Sequence, residues 1–188
     1  MSKAMDLFKL DGKVAVVTGG GRGLGFFAAE GLAEAGADIA ICGRGVGGDL
    51  DKAAEKIRAT GRKCIPIKCD VAEEKDVLEM AEKVKNRFGK CDILVNNAGI
   101  AGTMPTEQFT SEDWTRMMDV NLKGTFQCCR EIGKLMIAQS SGSIINLSSE
   151  NGQVGFSVGM TAYATSKIGL VGLSRSLAVE WGKHHIRV

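Results

Sequence analysis

Residues 13–25 read K-V-A-V-V-T-G-G-G-R-G-L-G, and this stretch decides the fold. Residues 13–18 are a short β-branched run, as a buried parallel strand requires. Residues 23–35 follow with helical character and stop at Gly36, a C-terminal stop signal. Between them, Gly19, Gly23 and Gly25 form G-x-x-x-G-x-G. Glycines at a strand-to-helix turn permit a tight reversal and close backbone approach. The helix start then offers free N–H groups to a pyrophosphate. Thr18, Gly19, Gly21, Arg22, Gly23, Leu24 and Gly25 are therefore candidate dinucleotide-binding residues.

Outward from this unit, apolar runs alternate with helical patterns. Residues 38–43 are the second strand, 51–60 a polar helix closed by Gly61, and 63–69 the third strand. Residues 73–88 form a helix with Val77, Met80, Ala81, Val84 and Phe88 on one face. Its first turn carries Glu73, Glu74 and Asp76, which suit the positive end of the helix dipole. Residues 91–96 are the fourth strand. Ser111 is expected to cap a long helix through 139, bent near Gly124. Residues 143–147 are the fifth strand, and 162–182 a further helix. Strand–helix alternation at this spacing implies right-handed βαβ units. The expected class is α/β, a Rossmann-type doubly wound parallel sheet with helices on both faces. Residues 186–188 read as the start of a sixth strand. The chain is thus expected to be a single domain over 1–188 that lacks its final strand or strands.

Composition narrows the function. The 188 residues are 44% hydrophobic with net charge +2, enough for one sizeable core. That charge gives no support for nucleic acid or an anionic membrane as partner. No apolar run approaches the roughly 18 residues that span a bilayer. Asp6, Lys9 and Asp11 interrupt any signal-peptide core, so a cytoplasmic protein is expected. Cys42, Cys64, Cys69, Cys91, Cys128 and Cys129 include no C-x-x-C pair, and the only histidines are His184 and His185. Metal-ligand spacing is absent, and the cysteines read as small buried residues.

Three further segments carry chemistry. Tyr163 and Lys167 in A-Y-A-T-S-K lie four residues apart, so a helix projects them from one face. A positive charge beside a phenol favours proton exchange with an alcohol or carbonyl oxygen. NAD binders place an acid at the end of the second strand for the adenosine ribose; here Arg44 follows that strand, and Arg22 lies in the glycine loop. Two guanidinium groups suit the 2′-phosphate of NADP, so NADP(H) is the preferred cofactor and NAD(H) the alternative. Asp70, after the third strand, is positioned to accept from the adenine amino group, to cap the next helix, or both. Asn96-Asn97-Ala98-Gly99 closes the fourth strand at the carboxyl edge, where open α/β sheets bind ligands.

Taken in order, these residues resemble the short-chain dehydrogenase/reductase family. The matching elements are T-G-x-x-x-G-x-G at 18–25, Asp70-Val71, Asn96–Gly99, Asn121, the Ser148-Ser149 pair and Tyr163-x-x-x-Lys167. The resemblance implies that Tyr163 is the acid–base residue and that Lys167 supports it and binds the nicotinamide ribose. It implies that Asn121 holds a relay water and that a serine holds the substrate oxygen. Val71, Asn97, Ala98 and Gly99 would join the cofactor site. The segment from the serines to Tyr163 is one residue longer than the family's usual spacing. Ser149 is favoured, Ser148 is the alternative, and Glu150 is rejected because it is no neutral hydroxyl donor.

Within the family, the chain looks like gluconate 5-dehydrogenase-type enzymes of sugar acids and polyols. Reductases of 3-oxoacyl thioesters share nearly all these motifs. The expected activity is hydride transfer between nicotinamide and a secondary alcohol/ketone pair, with a small carbonyl or alcohol as partner. A non-catalytic NADP-binding fragment or sensor is the alternative. An epimerase or dehydratase is disfavoured, because Arg22 occupies a glycine position those relatives need. The resemblance also implies a homotetramer for the full-length parent.

Overall fold

A computed structural model describes residues 6–45, 48–155 and 159–188. Six parallel strands form one sheet: β1 (Val14–Thr18), β2 (Asp38–Gly43), β3 (Cys64–Lys68), β4 (Ile93–Asn96), β5 (Gly142–Asn146) and β6 (Ile186–Arg187). Their spatial order is β3-β2-β1-β4-β5-β6. Register runs Ala15 opposite Ile39 on one side and Ile93 on the other. The helices are α1 (Gly23–Glu34), α2 (Asp49–Arg58), α3 (Glu74–Phe88), α4 (Ser111–Met118), α5 (Gly124–Ala138) and α6 (Thr161–Trp181).

Side-chain alternation along the strands builds two cores. Ala15 and Val17 of β1 join Ile39 and Ile41 of β2 and meet Ala29, Ala33, Ala53 and Ile57 of α1 and α2. Val16, Ala40, Leu94 and Ile144 point to the other face, against Val77, Met80, Cys128, Ile132 and Leu177 from α3, α5 and α6. Strands buried on both faces need continuous apolar runs, which is why no polar alternation appears in V-A-V-V-T. The chain is a Rossmann-type α/β fold. Strand order reverses between β1 and β4, and the crevice beyond their carboxyl ends is where such sheets take ligands.

Two local expectations are corrected, and a third is refined. Thr110, not Ser111, caps α4: its backbone is extended and its Oγ1 accepts from Asp113 N at 3.0 Å. The irregularity expected near Gly124 is a π-helical turn over Asp119–Lys123, which joins α4 to α5 without a break. Asp70 does not cap α3, whose N-cap residue is Glu73.

Candidate active site

Two loops meet at the crevice. After β1, Gly19 adopts φ +66° and Gly23 φ +56°, left-handed conformations that glycine tolerates. Gly25, inside the first turn of α1, approaches so closely that a β-carbon would overlap the Gly19 carbonyl and the Asn97 amide. Asn97 Nδ2 donates to Thr18 O at 3.0 Å and Gly19 O at 3.2 Å. In return, the backbone N–H groups of Asn97 and Ala98 both donate to Thr18 Oγ1 at 3.1 Å. Thr18 and Gly25 thus hold the two loops together from behind.

The cleft they support encloses about 650 Å³. Gly19, Gly21, Arg22, Gly23 and Leu24 form one wall, with Arg44 beyond β2. Asp70 and Val71 follow β3, and Asn97, Ala98 and Gly99 follow β4. The R-G-V-G-G-D loop leaves Arg44 on the cleft, although its residues 46–47 lie outside those described. Asp49, at the start of α2, lines the same wall and is a carboxylate that sequence reading did not anticipate there. No side chain caps α1, and its N-cap residue Arg22 is extended at φ −162°. Among the described residues, the first N–H groups of that helix, beside the cleft, have no side-chain partner.

The Asp70–Val71 turn is braced on two sides. Asp70 Oδ1 accepts from Ala72 N at 3.1 Å, and Asp70 N donates to Asp76 Oδ2 at 2.9 Å. From behind, Gln127 Nε2 donates to Val71 O at 2.8 Å. Gly124 packs so tightly here that a β-carbon would fall 2.8 Å from Val71 Cγ2. Sequence reading missed both residues. The available signal was one amide inside the apolar run G-T-F-Q-C-C, which a helix buries only with a partner.

Tyr163 and Lys167 occupy successive turns of α6, with Nζ 5.7 Å from the phenol ring centroid. Lys167 is buried, and its Nζ donates to Leu147 O at 2.5 Å. Burial lowers its ammonium below the ordinary lysine value. Ser148 Oγ donates to Lys167 O at 2.7 Å, so that hydroxyl ties the end of β5 to α6. Ser149 Oγ instead accepts from Asn151 N at 3.3 Å, at the start of the short 3₁₀ turn Glu150–Gly152. Glu150 is exposed.

Asn121 is fully buried in the π-helical turn. Its Oδ1 accepts from Ile100 N at 2.8 Å and its Nδ2 donates to Ile100 O at 2.9 Å and Ser166 Oγ at 3.0 Å. Ser166 Oγ donates onward to Tyr163 O at 2.7 Å. The amide is thus fully used by protein groups. The Asn121 carbonyl accepts from Thr125 Oγ1 at 2.9 Å. Gly99 joins the two halves of the site. It lines the cleft, and a β-carbon on it would stand 3.2 Å from Asn121 Oδ1 and 3.8 Å from Lys167 Nζ.

Comparison with known proteins agrees with this geometry. The family described as short chain dehydrogenase matches residues 13–188. D-threitol dehydrogenase of Mycolicibacterium smegmatis is 39% identical over 193 residues, covering 100% of this chain and 74% of that protein. The crystal structure of NAD⁺-bound xylitol dehydrogenase superposes with a TM-score of 0.92 at 35% identity, over 96% of this chain and 69% of that one. A gluconate 5-dehydrogenase from Burkholderia cenocepacia, in complex with NADP and tartrate, superposes with a TM-score of 0.91 at 37% identity, over 97% and 71%. This chain belongs to the short-chain dehydrogenase family and is an NAD(P)-linked oxidoreductase.

Proposed function

We propose that the chain interconverts a secondary alcohol and its ketone, of the sugar-acid or polyol type, with preference for NADP(H). One observation carries the assignment of roles: Gly99 lines the dinucleotide cleft and lies against the buried Lys167 Nζ. A nicotinamide reaching that glycine would have Tyr163 within its neighbourhood. The cleft fits a dinucleotide, because its glycines leave space where side chains would intrude and the uncapped start of α1 suits a pyrophosphate. When bound, the dinucleotide supplies hydride transfer.

The residues then divide the remaining work. In the oxidative direction, the Tyr163 oxygen takes the hydroxyl proton while the carbinol C–H bond breaks with its electron pair and the C=O bond forms. In reduction, the phenol returns that proton to the new alkoxide oxygen. Lys167 holds a positive charge beside the phenol, and its bond to Leu147 O fixes where that charge stands. Ser149 is the hydroxyl left to meet the substrate oxygen, since Ser148 is tied to Lys167 O. Asn121 positions Ile100 and Ser166, and a relay water on its backbone carbonyl would share that oxygen with the Thr125 hydroxyl.

Arg22 and Arg44 on one cleft support NADP(H) through charge-assisted bonds to the 2′-phosphate. Asp49 on the same wall opposes them, so the expected preference is about tenfold rather than a hundredfold. Six unpaired thiols support a reducing, cytoplasmic setting. Two titrations test the reading. Tyr163→Phe abolishes turnover and leaves dinucleotide affinity unchanged; retained turnover would sink the role of Tyr163. Arg44→Ala removes the preference for NADPH over NADH; a wild type that binds NADH more tightly would overturn the cofactor assignment.

A further inference from the structure

Between Tyr163 and Lys167 in A-Y-A-T-S-K stands Ser166, fully buried, with its hydroxyl both donating and accepting. Its Oγ donates to Tyr163 O at 2.7 Å and accepts from Asn121 Nδ2 at 3.0 Å. A hydroxyl bonded back to the preceding turn does not strengthen a helix; it bends it slightly. The burial of this serine is better explained by what it connects.

On the far side of Asn121 lies the loop after β4. Asn121 Oδ1 accepts from Ile100 N at 2.8 Å, and its Nδ2 donates to Ile100 O at 2.9 Å. Gly99 and Ile100 line the dinucleotide cleft. Among the described residues, no hydrogen bond runs directly from Gly99 or Ile100 to α6. The path is Ile100, Asn121, Ser166, Tyr163, and it leads from backbone beside the cleft to the backbone of the acid–base residue. The other end of the same helical turn is held separately, since Lys167 O accepts from Ser148 Oγ at 2.7 Å. The carbonyls of Tyr163 and Lys167 thus each accept from a serine hydroxyl. One serine is tied to the π-helical turn and the other follows β5.

We propose that Ser166 is a positioning residue, which sets the place of Tyr163 against the loop at the nicotinamide end of the cleft. The proposal rests on the assignment of Tyr163 as the acid–base residue. Being fully enclosed, Ser166 acts through Tyr163 and not on the reactants. Alanine in its place removes one donor from Tyr163 O and one acceptor from Asn121 Nδ2. That amide keeps Ile100 O at 2.9 Å and Met117 Sδ at 3.3 Å, so it is not stranded. The tie to Tyr163 is what is lost.

Helix α6 supplies a matched control. Ser174 Oγ donates to Leu170 O at 2.8 Å and accepts from Asn146 Nδ2 at 2.9 Å, a like arrangement farther along the helix. With xylitol and gluconate as test alcohols, Ser166→Ala is expected to lower kcat about thirtyfold, as a displacement below 1 Å at a reacting group does. KM for the dinucleotide stays within about twofold, and Ser174→Ala retains the wild-type kcat. In an Asn121→Ala background, Ser166→Ala lowers kcat by less than about twofold more, because both changes open one path. Equal losses of kcat in the two serine variants, a loss confined to KM, or full additivity with Asn121→Ala would overturn the proposal. Tyr163 is the single tyrosine of the chain, so fluorotyrosine incorporation gives one fluorine NMR resonance that reports its placement without turnover. Wild type and Ser174→Ala should each give one narrow line, and Ser166→Ala a broadened or divided one; an unchanged line in Ser166→Ala would overturn the proposal. Failure of the underlying role is separate, since it appears as retained turnover in Tyr163→Phe.

Discussion

Helix α1 contains three glycines in unlike surroundings, so one chemical change made three times tests the account of the loop. At Gly25 an alanine β-carbon meets the Gly19 carbonyl and the Asn97 amide, and neither can retreat. The first is backbone, and the second is fixed by its bonds to Thr18 O and Gly19 O. Overpacking of about 1–3 kcal/mol adds to the loss of one or two bonds of about 1 kcal/mol each, against a gain of about 1 kcal/mol in helix propensity. The net cost is about 3 kcal/mol, with weaker dinucleotide binding because the loop must open. At Gly23 nothing lies within 4 Å of the added carbon, but φ is +56°, so alanine costs about 1 kcal/mol from backbone strain alone. Gly31 is exposed, mid-helix and unobstructed, and alanine there gains about 0.5–1 kcal/mol. Urea denaturation at constant m-value, paired with a dinucleotide titration, reads all three. The expected stability order is Gly31→Ala, wild type, Gly23→Ala, Gly25→Ala. A Gly25→Ala protein as stable as Gly23→Ala, or with unaltered cofactor affinity, would refute the reasoning.

Other outcomes follow from single contacts. Burial alone would raise the Asp92 carboxyl, but bonds from Lys90, the Val14 N–H and Lys13 outweigh it and hold it below the usual carboxylate range. Its stabilisation is therefore fully present above the unfolded value near 4 and is lost as pH falls through the lower folded value. Asp92→Asn should cost about 1–2 kcal/mol at pH 7 and progressively less in acid, measured by denaturation at both; a deficit independent of pH would contradict this. Burial pushes the Cys64, Cys69, Cys91 and Cys129 thiols up to about 12 and raises Cys42 and Cys128 as well. A thiol reagent at pH 8 should therefore label the folded protein slowly and all six cysteines in denaturant; one fast thiol in the native state would count against the packing. Gln127→Leu leaves Val71 O buried without its donor, at about 1–3 kcal/mol, and should raise KM for the dinucleotide while sparing KM for the alcohol. Equal changes in both constants would mean that Gln127 serves general stability only.

The sheet was legible because each strand is a continuous apolar run set between helical patterns, and V-A-V-V-T ahead of glycines admits few alternatives. The cleft residues were legible for the same reason, since the carboxyl ends of β1, β2, β3 and β4 bring them together. What sequence could not show is choice among chemical equals. Thr110 and Ser111 are both cap formers, and only the extended backbone at Thr110 decides between them. Asp49 reaches the cleft through the path of a glycine-rich loop, which has no periodicity to read. Gln127 acquires meaning only once α5 packs beside α3 and meets the turn after β3. Ser148 and Ser149 separate only when the Lys167 carbonyl is found beside one of them.

The π-helical turn at Asp119–Lys123 makes the rod from α4 to α5 a device with two phases. One residue beyond the regular repeat rotates everything downstream by about 100°. Upstream, Thr110 and Trp114 keep one phase; downstream, Gly124, Gln127 and Cys128 keep another, which aims Gln127 at Val71. Length in this stretch is therefore information. Deleting a single residue would not shorten the rod so much as re-index it, withdrawing Asn121 from Ile100 and Gln127 from Val71 together. Point substitutions can alter either contact alone, whereas a frame-preserving loss of one codon here would uncouple both at a stroke.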